Sequence, residues 1–362
     1  MSIFDRAINE MREGMSGRNA GVPFGKKYDR LVSIIPNIQK KTYYLIGGGP
    51  KMGKSAFTND AFLFSPYDEL MLENPQQLVV NWLLFSFEID ALSIIHKGIA
   101  RRLYLEHGII TDTKYLLSRG KNRLSTEIYE LGVQCRDYFE SLEDRLTIFE
   151  VPENPTGIKI YLEEYFEARG TSHFKESYNG TRKYRHFDHY VPNNPQEYTI
   201  AIIDHIALTK GEKDAHTTKE AIDKLSQVLV GARNKYGLTP VVVQQLNFDA
   251  GSSDRFKQKR ITPLISDFGD SKYTTRDANY IMALFSPWEY ELLEYEGYNT
   301  GLMKDRIRRL EVLRSRESGG NKIIYLNFCG ENGIFREMDL PENLQGFRGQ
   351  ARYQKYLNFE AL

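Results

Sequence analysis

Eight residues set the chemistry this chain can attempt: Gly48-Gly49-Pro50-Lys51-Met52-Gly53-Lys54-Ser55, in the pattern G-x-x-x-x-G-K-[ST]. Glycines let successive backbone N–H groups curl around a polyphosphate, and a helix N-terminus adds its positive dipole end. A lysine at the place of Lys54 reaches β- and γ-phosphates, and a hydroxyl at the place of Ser55 ligates magnesium. The expected nucleotide-binding set is Gly48, Gly49, Pro50, Lys51, Met52, Gly53, Lys54, Ser55 and Ala56. A glycine-rich turn with a chance lysine would spell the same letters. The flanks argue against chance, because apolar "TYYLI" enters and the helical pattern "SAFTNDAFLF" leaves.

Magnesium needs a carboxylate beside the hydroxyl. "YTIAIID" ends in Asp204, at the carboxyl end of a buried-looking strand, where ligands of open parallel sheets sit. Ser55 and Asp204 are therefore the expected metal residues. A helix cap or loop acid is the plainer reading of Asp204, and the upstream phosphate loop outweighs it. His205 occupies the next position, where many phosphate-loop ATPases carry a catalytic glutamate. The water-activating acid must come from elsewhere, and Glu88 at the end of "LLFSFEID" is the candidate. "TPVVVQQLN" ends in Gln244-Gln245 and Asn247, polar groups that could sense a γ-phosphate or merely satisfy neighbouring backbone.

The elements that must hold these groups alternate apolar β-branched runs with helical patterns from about residue 40 onward. That alternation marks a mostly parallel sheet with crossover helices. Candidate strands are 42–46, 79–87, 146–151, 198–204, 239–246, 279–285, 309–315 and 322–328. The first five are nearly all apolar, as strands covered on both faces should be. The last three lie close together and suggest an antiparallel edge. Residues 170–197, polar and aromatic with an Asn-Gly turn signal, predict a projecting hairpin. Residues 286–308, charged and tyrosine-rich, predict a second excursion. At the N-terminus Ile3, Phe4, Ala7, Ile8 and Met11 share one helical face, and "GMSGRNAGVPFG" then reads as a tether. Such a helix must pack on its own domain or on a neighbouring subunit.

Composition narrows the class. Hydrophobic residues make up 41% and charged residues 27%, ordinary for a globular protein, and 48 basic residues balance 48 acidic ones. Global charge therefore says nothing about nucleic acid, since a local field governs binding. Cys135 and Cys329 stand alone without metal-ligand spacing, which implies a reducing compartment. No stretch approaches the roughly 20 apolar residues of a membrane span, and the N-terminus lacks a signal-peptide run. A cytoplasmic protein is expected, in a bacterial host if phage-encoded.

The ordered series of motifs resembles the ATPase domain of DnaB-type replicative helicases, hexameric members of the RecA-like group. The family's "FSLEM" is matched by "FSFEI" (85–89), its "MIDYLQLM" by "IIDHIALT" (202–209) and its "PVVALSQLNR" by "PVVVQQLNF" (240–248). Its "SDLRESGSIEQDADVIM" is matched by "SDFGDSKYTTRDANYIM" (266–282), and its late "KQR" by Arg314-Ser315-Arg316. The likeness covers about residues 20–330. It implies a RecA-like P-loop NTPase core of α/β class, a mostly parallel twisted sheet flanked by helices with antiparallel edge strands. It implies ATP with Mg²⁺, catalytic roles for Lys54, Glu88 and Gln245, and action of Arg316 with Arg314 on a neighbouring subunit's nucleotide. Single-stranded DNA would be held by Arg255, Lys257, Lys259, Arg260 and Lys272 on loops beyond the sensor strand.

The expected division is a linker helix and tether over 1–25, an ATPase domain over 26–340 and a tail over 341–362. The family's N-terminal primase-interacting domain has no counterpart ahead of residue 20, and the 170–197 hairpin is extra; both features suggest a phage or mobile-element version. Partners implied are single-stranded DNA, further copies in a hexameric ring, a primase or helicase loader, and no membrane. Two other readings remain open on the residues: a RecA-like recombinase or filament ATPase, and a nucleotide-switched scaffold or loader.

Overall fold

The computed structural model describes residues 3–17, 20–179, 182–247, 255, 261–269, 272–317 and 319–360. Its centre is a nine-stranded sheet. The strands are β1 (Tyr44–Gly48), β2 (Val79–Ser86), β3 (Leu146–Phe149), β4 (Gly170–Asn179), β5 (Arg182–Pro192), β6 (Glu197–Asp204) and β7 (Thr239–Gln245). They continue with β8 (Tyr280–Phe285), β9 (Glu294–Tyr295), β10 (Tyr298–Asn299), β11 (Ile307–Ser315), β12 (Lys322–Cys329) and β13 (Ile334–Glu337). The central sheet runs β13-β12-β11-β8-β1-β7-β6-β2-β3. From β8 to β3 every pairing is parallel; β8–β11, β11–β12 and β12–β13 are antiparallel.

This corrects one expectation. β8 belongs to the parallel half, paired with β1 from Tyr44↔Tyr280 to Gly48↔Leu284. Its residues are buried throughout, the mark of an interior strand rather than an edge. The antiparallel edge starts at β11 and includes β13, which is absent from the expected strands.

The sheet divides two apolar layers. Tyr44, Ile46, Trp82, Leu84, Ile200, Ile202 and Val241 face the layer that holds the phosphate-loop helix and Ile94. Leu45, Leu83, Ile203 and Val242 face the layer containing Ile158, Leu162, Leu225 and Leu229 of the helices Pro155–Glu167 and Thr218–Tyr236. The helix leaving the phosphate loop runs Lys54–Asn59, takes a wider π turn over Asp60–Phe64 and resumes over Ser65–Leu72. At the π turn the buried Asp60 carboxylate accepts from Lys27 Nζ (2.6 Å), Tyr28 OH (2.6 Å) and the Phe335 N–H (2.9 Å), and pairs with Arg101. A buried charge so fully bonded ties the N-terminal segment, the phosphate-loop helix, the helix Ala91–His107 and β13 together.

Both chain ends differ from their compositional reading. Val22 and Phe24 are fully buried and Val22 exchanges backbone bonds with Ile38, so the packed core reaches back into the expected tether. The expected tail carries the helix Gly346–Leu357, whose Tyr353 and Tyr356 pack with Tyr298, Met303, Tyr325 and Met338. The helix Ile3–Met15 leaves Phe4, Met11 and Met15 exposed in the single chain. β4 and β5 form the projecting hairpin, with a bulge at His173/Phe174. The Gly180–Thr181 turn lies outside the described residues. Among the described residues no helix is long and apolar enough to cross a membrane.

Candidate nucleotide site

Parallel register brings the expected groups to one edge. Gly48, at the end of β1, pairs with Gln245 at the end of β7, and Asp204, at the end of β6, pairs with Ser86 at the end of β2. The loop after Gly48 turns through left-handed backbone at Lys51 (φ 58°) and Gly53 (φ 84°) before Lys54 starts the helix. A β-carbon on Gly47 would lie 2.3 Å from the Phe268 ring, so this strand end must be glycine to let Phe268 close over it.

Lys54 is buried, and its ammonium donates to the Gly49 carbonyl at 2.8 Å across the loop. Burial pulls its pKa below the usual lysine range, while Asp204 and Glu88 oppose that pull. Ser55 Oγ donates to Asp204 Oδ1 at 2.9 Å. Burial raises the Asp204 pKa; the Ser55 bond lowers it and Glu88 raises it further. Glu88 is exposed just beyond β2, close enough to act electrostatically on both Lys54 and Asp204. Hard oxygen donors from a hydroxyl and a buried carboxylate fit magnesium, which takes its remaining ligands from phosphate and water. Among the described residues no group of three or more His, Cys, Asp or Glu could hold a metal unaided.

The two glutamines separate. Gln244 points into the other layer, where Thr274 Oγ1 donates to it at 2.8 Å. Gln245 accepts from His205 Nε2 at 3.1 Å, which places the imidazole proton on Nε2. His205 holds left-handed backbone (φ 69°), unusual for a side chain of that size and a strain of about 1 kcal/mol or more at the site edge. A cavity of about 190 Å³ opens beside the loop between Ser55, Ala56, Asn59, Ile94 and Asn332. Asn59 Oδ1 and Asn332 Nδ2 are buried there without a hydrogen-bond partner among the described residues.

The arginine pair sits elsewhere. Ser315 pairs with Tyr280, at the opposite end of β8 from the phosphate loop, roughly 13 Å of strand away. Arg316 donates to the Arg276 carbonyl at 2.6 Å. Arg314 is half-buried, with Nε and Nη2 unpartnered among the described residues, and burial followed by Arg316 repulsion lowers its pKa. Neither is brought to its own chain's phosphate loop. Arg255 is also placed differently from its expected DNA role: its fork grips Asp267 at 2.9 and 3.1 Å and the Thr262 carbonyl at 3.1 Å. That grip makes it a strut of the 261–269 loop, a role that charge alone could not reveal. Lys257, Lys259 and Arg260 lie outside the described residues, and Lys272 begins the helix Lys272–Asp277.

One contact has no counterpart among the sequence expectations. Arg308 of β11, almost wholly buried, donates from Nε to the Met52 carbonyl of the phosphate loop at 3.0 Å. A charged residue in a strand reads from sequence as an edge or solvated position, so nothing local signals this role.

The nine-stranded order, the parallel half and the loop at its carboxyl edge are shared with solved structures. The chain superposes on a structure titled as an ATPase domain with TM-score 0.68 at 18% identity, covering 94% of this chain and 100% of that one. The fold is RecA-like. A second structure, "The Structure Of A DnaB-Like Replicative Helicase And Its Interactions With Primase", superposes with TM-score 0.66 at 18% identity over 93% of this chain and 69% of the other. No family model and no curated protein matches the sequence.

Proposed function

We propose that this chain is an ATP-hydrolysing motor of the DnaB-type replicative helicases, working as a ring of six copies that translocates on single-stranded DNA and unwinds duplex at the fork. The observation that carries this reading is the joint placement of Lys54, Ser55, Asp204 and Glu88 at one sheet edge, in a chain similar in fold along nearly its whole length to an ATPase domain and to a DnaB-like helicase.

Roles follow from the geometry. The glycine-rich turn supplies N–H groups to the phosphates. Lys54 exchanges the Gly49 carbonyl for phosphate oxygens, and the cavity beside Ser55 accepts the nucleoside, with Asn59 and Asn332 offering an acceptor and a donor. Ser55 and Asp204 would hold Mg²⁺, which when bound neutralises charge on the phosphate oxygens. Glu88 orients and deprotonates the attacking water. Gln245, already bonded to His205, is placed to report the state of the site toward the 261–269 loop. Arg316 and Arg314, on the far edge, complete the site of a neighbouring copy, where an arginine finger is worth orders of magnitude in rate. The basic loop residues Lys257, Lys259, Arg260 and Lys272 track the DNA backbone, so binding weakens with salt.

Strand displacement on a forked duplex tests the reading. With ATP and Mg²⁺ the chain should displace the labelled strand, and a non-hydrolysable analogue should not support displacement. A chain that coats DNA and pairs homologous strands without unwinding the fork would favour the recombinase reading instead.

A further inference from the structure

We infer that Arg308 is a positioning residue for the phosphate loop: it holds the Met52–Gly53 peptide so that the Gly53 N–H is aimed at the phosphate before nucleotide arrives. This rests on the nucleotide reading above.

Arg308 is 1% exposed, among the largest fully buried side chains of the protein. Its guanidinium has one orientation available. Nε donates to the Met52 carbonyl at 3.0 Å, Nη2 to Asp305 Oδ1 at 2.7 Å, and Nη1 to the carbonyls of Asp305 and Ile307 at 2.8 and 2.9 Å. The Phe328 ring lies under it, with 4.7 Å from the guanidinium carbon to the ring centroid. Burial lowers the pKa of Arg308, yet a guanidinium stays protonated in proteins. An apolar side chain of similar volume would usually pack in such a place at no loss of stability, because a buried charge carries a desolvation cost. A buried arginine that spends its fork on a loop carbonyl therefore calls for a reason beyond packing.

Peptide geometry supplies one. In a planar trans peptide the C=O and the following N–H point in opposite directions. With the Met52 carbonyl fixed on Arg308, the Gly53 N–H faces away from Arg308, toward the inside of the loop where Lys54 meets the Gly49 carbonyl. Left-handed backbone on either side, at Lys51 (φ 58°) and Gly53 (φ 84°), gives the turn the form of an N–H nest for an anion. The Met52 side chain is held as well, its Sδ accepting from the Ser286 N–H at 3.1 Å. The crest of the loop is thus clamped from the antiparallel half of the sheet. Donors fixed in advance cost no reorganisation when the phosphate binds.

Titration of the full chain with fluorescent ADP, together with steady-state ATP hydrolysis, tests this. Arg308→Met keeps volume and removes the fork; it should weaken ADP binding about 10- to 100-fold, the range of a lost charged hydrogen bond. Its KM for ATP should rise by a similar factor with kcat changed far less, and Arg308→Lys should recover part of the affinity. Asp305→Asn loosens the fork from a half-exposed position and should weaken ADP several-fold with unfolding temperature unchanged. Wild-type ADP affinity in Asp305→Asn and in folded Arg308→Met would overturn the inference, and Asp305→Asn decides alone if the methionine variant does not fold. A wild-type chain that binds neither ADP nor ATP would overturn the nucleotide reading and this inference with it.

Discussion

Replacing Asp204 by Asn should make the nucleotide-free protein more stable while disabling it. The Asp204 side chain is 2% exposed and accepts from Ser55 Oγ at 2.9 Å, a bond an amide oxygen can also accept. Burial, above all, holds its pKa above the usual carboxylate range. The sign follows directly. A folded pKa raised above the unfolded one means the native state binds the proton more tightly, so this contribution is fully present below the unfolded value, near 4, and is lost as pH rises through the folded value. Asparagine has no such term. At pH 7.5 in a chelator, Asp204→Asn should gain about 1–2 kcal/mol, the increment seen when a strained functional site is relieved. For a chain of this length that corresponds to roughly 2–4 °C in the unfolding midpoint. Thermal unfolding followed by fluorescence at pH 7.5 and again near pH 4.5 measures it. The gap should shrink on acidification as wild-type Asp204 takes up its proton. Magnesium-dependent hydrolysis by the same variant should fall at least about 100-fold. An asparagine variant that melts below wild type at pH 7.5, or a gap that widens at low pH, would refute the reasoning.

Three further outcomes follow from the same geometry. Glu88→Gln should cut kcat for ATP hydrolysis by about 10²- to 10⁴-fold with nucleotide affinity kept, because Glu88 is exposed and carries no part of the core; equal loss of affinity in an equilibrium titration would contradict a role in chemistry. Arg316→Ala should lower kcat by about 10³-fold or more in the assembled protein and leave the assembly intact; wild-type turnover in a hexameric variant, checked by light scattering, would remove Arg316 from the site. Deleting residues 3–15, whose Phe4, Met11 and Met15 are exposed in the single chain, should weaken self-association at micromolar concentration, and an unchanged mass would show that the helix serves another purpose.

Much of this arrangement was legible because it is local or periodic. The phosphate loop could be read from spacing, since glycine, lysine and serine each answer a requirement of one short turn. The parallel strands could be read from unbroken apolar runs, which only two-sided burial demands. Asp204 and Glu88 could be placed near the loop because parallel strands end at one edge. What escapes a reading of the sequence depends on long-range pairing. β8 is as apolar as β7, yet its nearness in sequence to β11 and β12 suggests an antiparallel edge; only the register with β1 assigns it. β13 has four residues and too little period to stand out. Phe268 over Gly47, Arg308 on Met52 and Arg255 on Asp267 join residues from separate segments, and the letters of either partner alone do not reveal them. The burial of Val22 and Phe24 is hidden by the glycines around them.

Phosphate release from ATP, followed with and without single-stranded DNA, addresses the central claim most directly. Wild-type protein with Mg²⁺ should hydrolyse ATP, and single-stranded DNA should stimulate turnover in a salt-sensitive way. Lys54→Ala should abolish both the basal and the stimulated rate. Hydrolysis indifferent to DNA, or a Lys54→Ala protein as active as wild type, would contradict the account of this chain as a nucleotide-driven DNA motor.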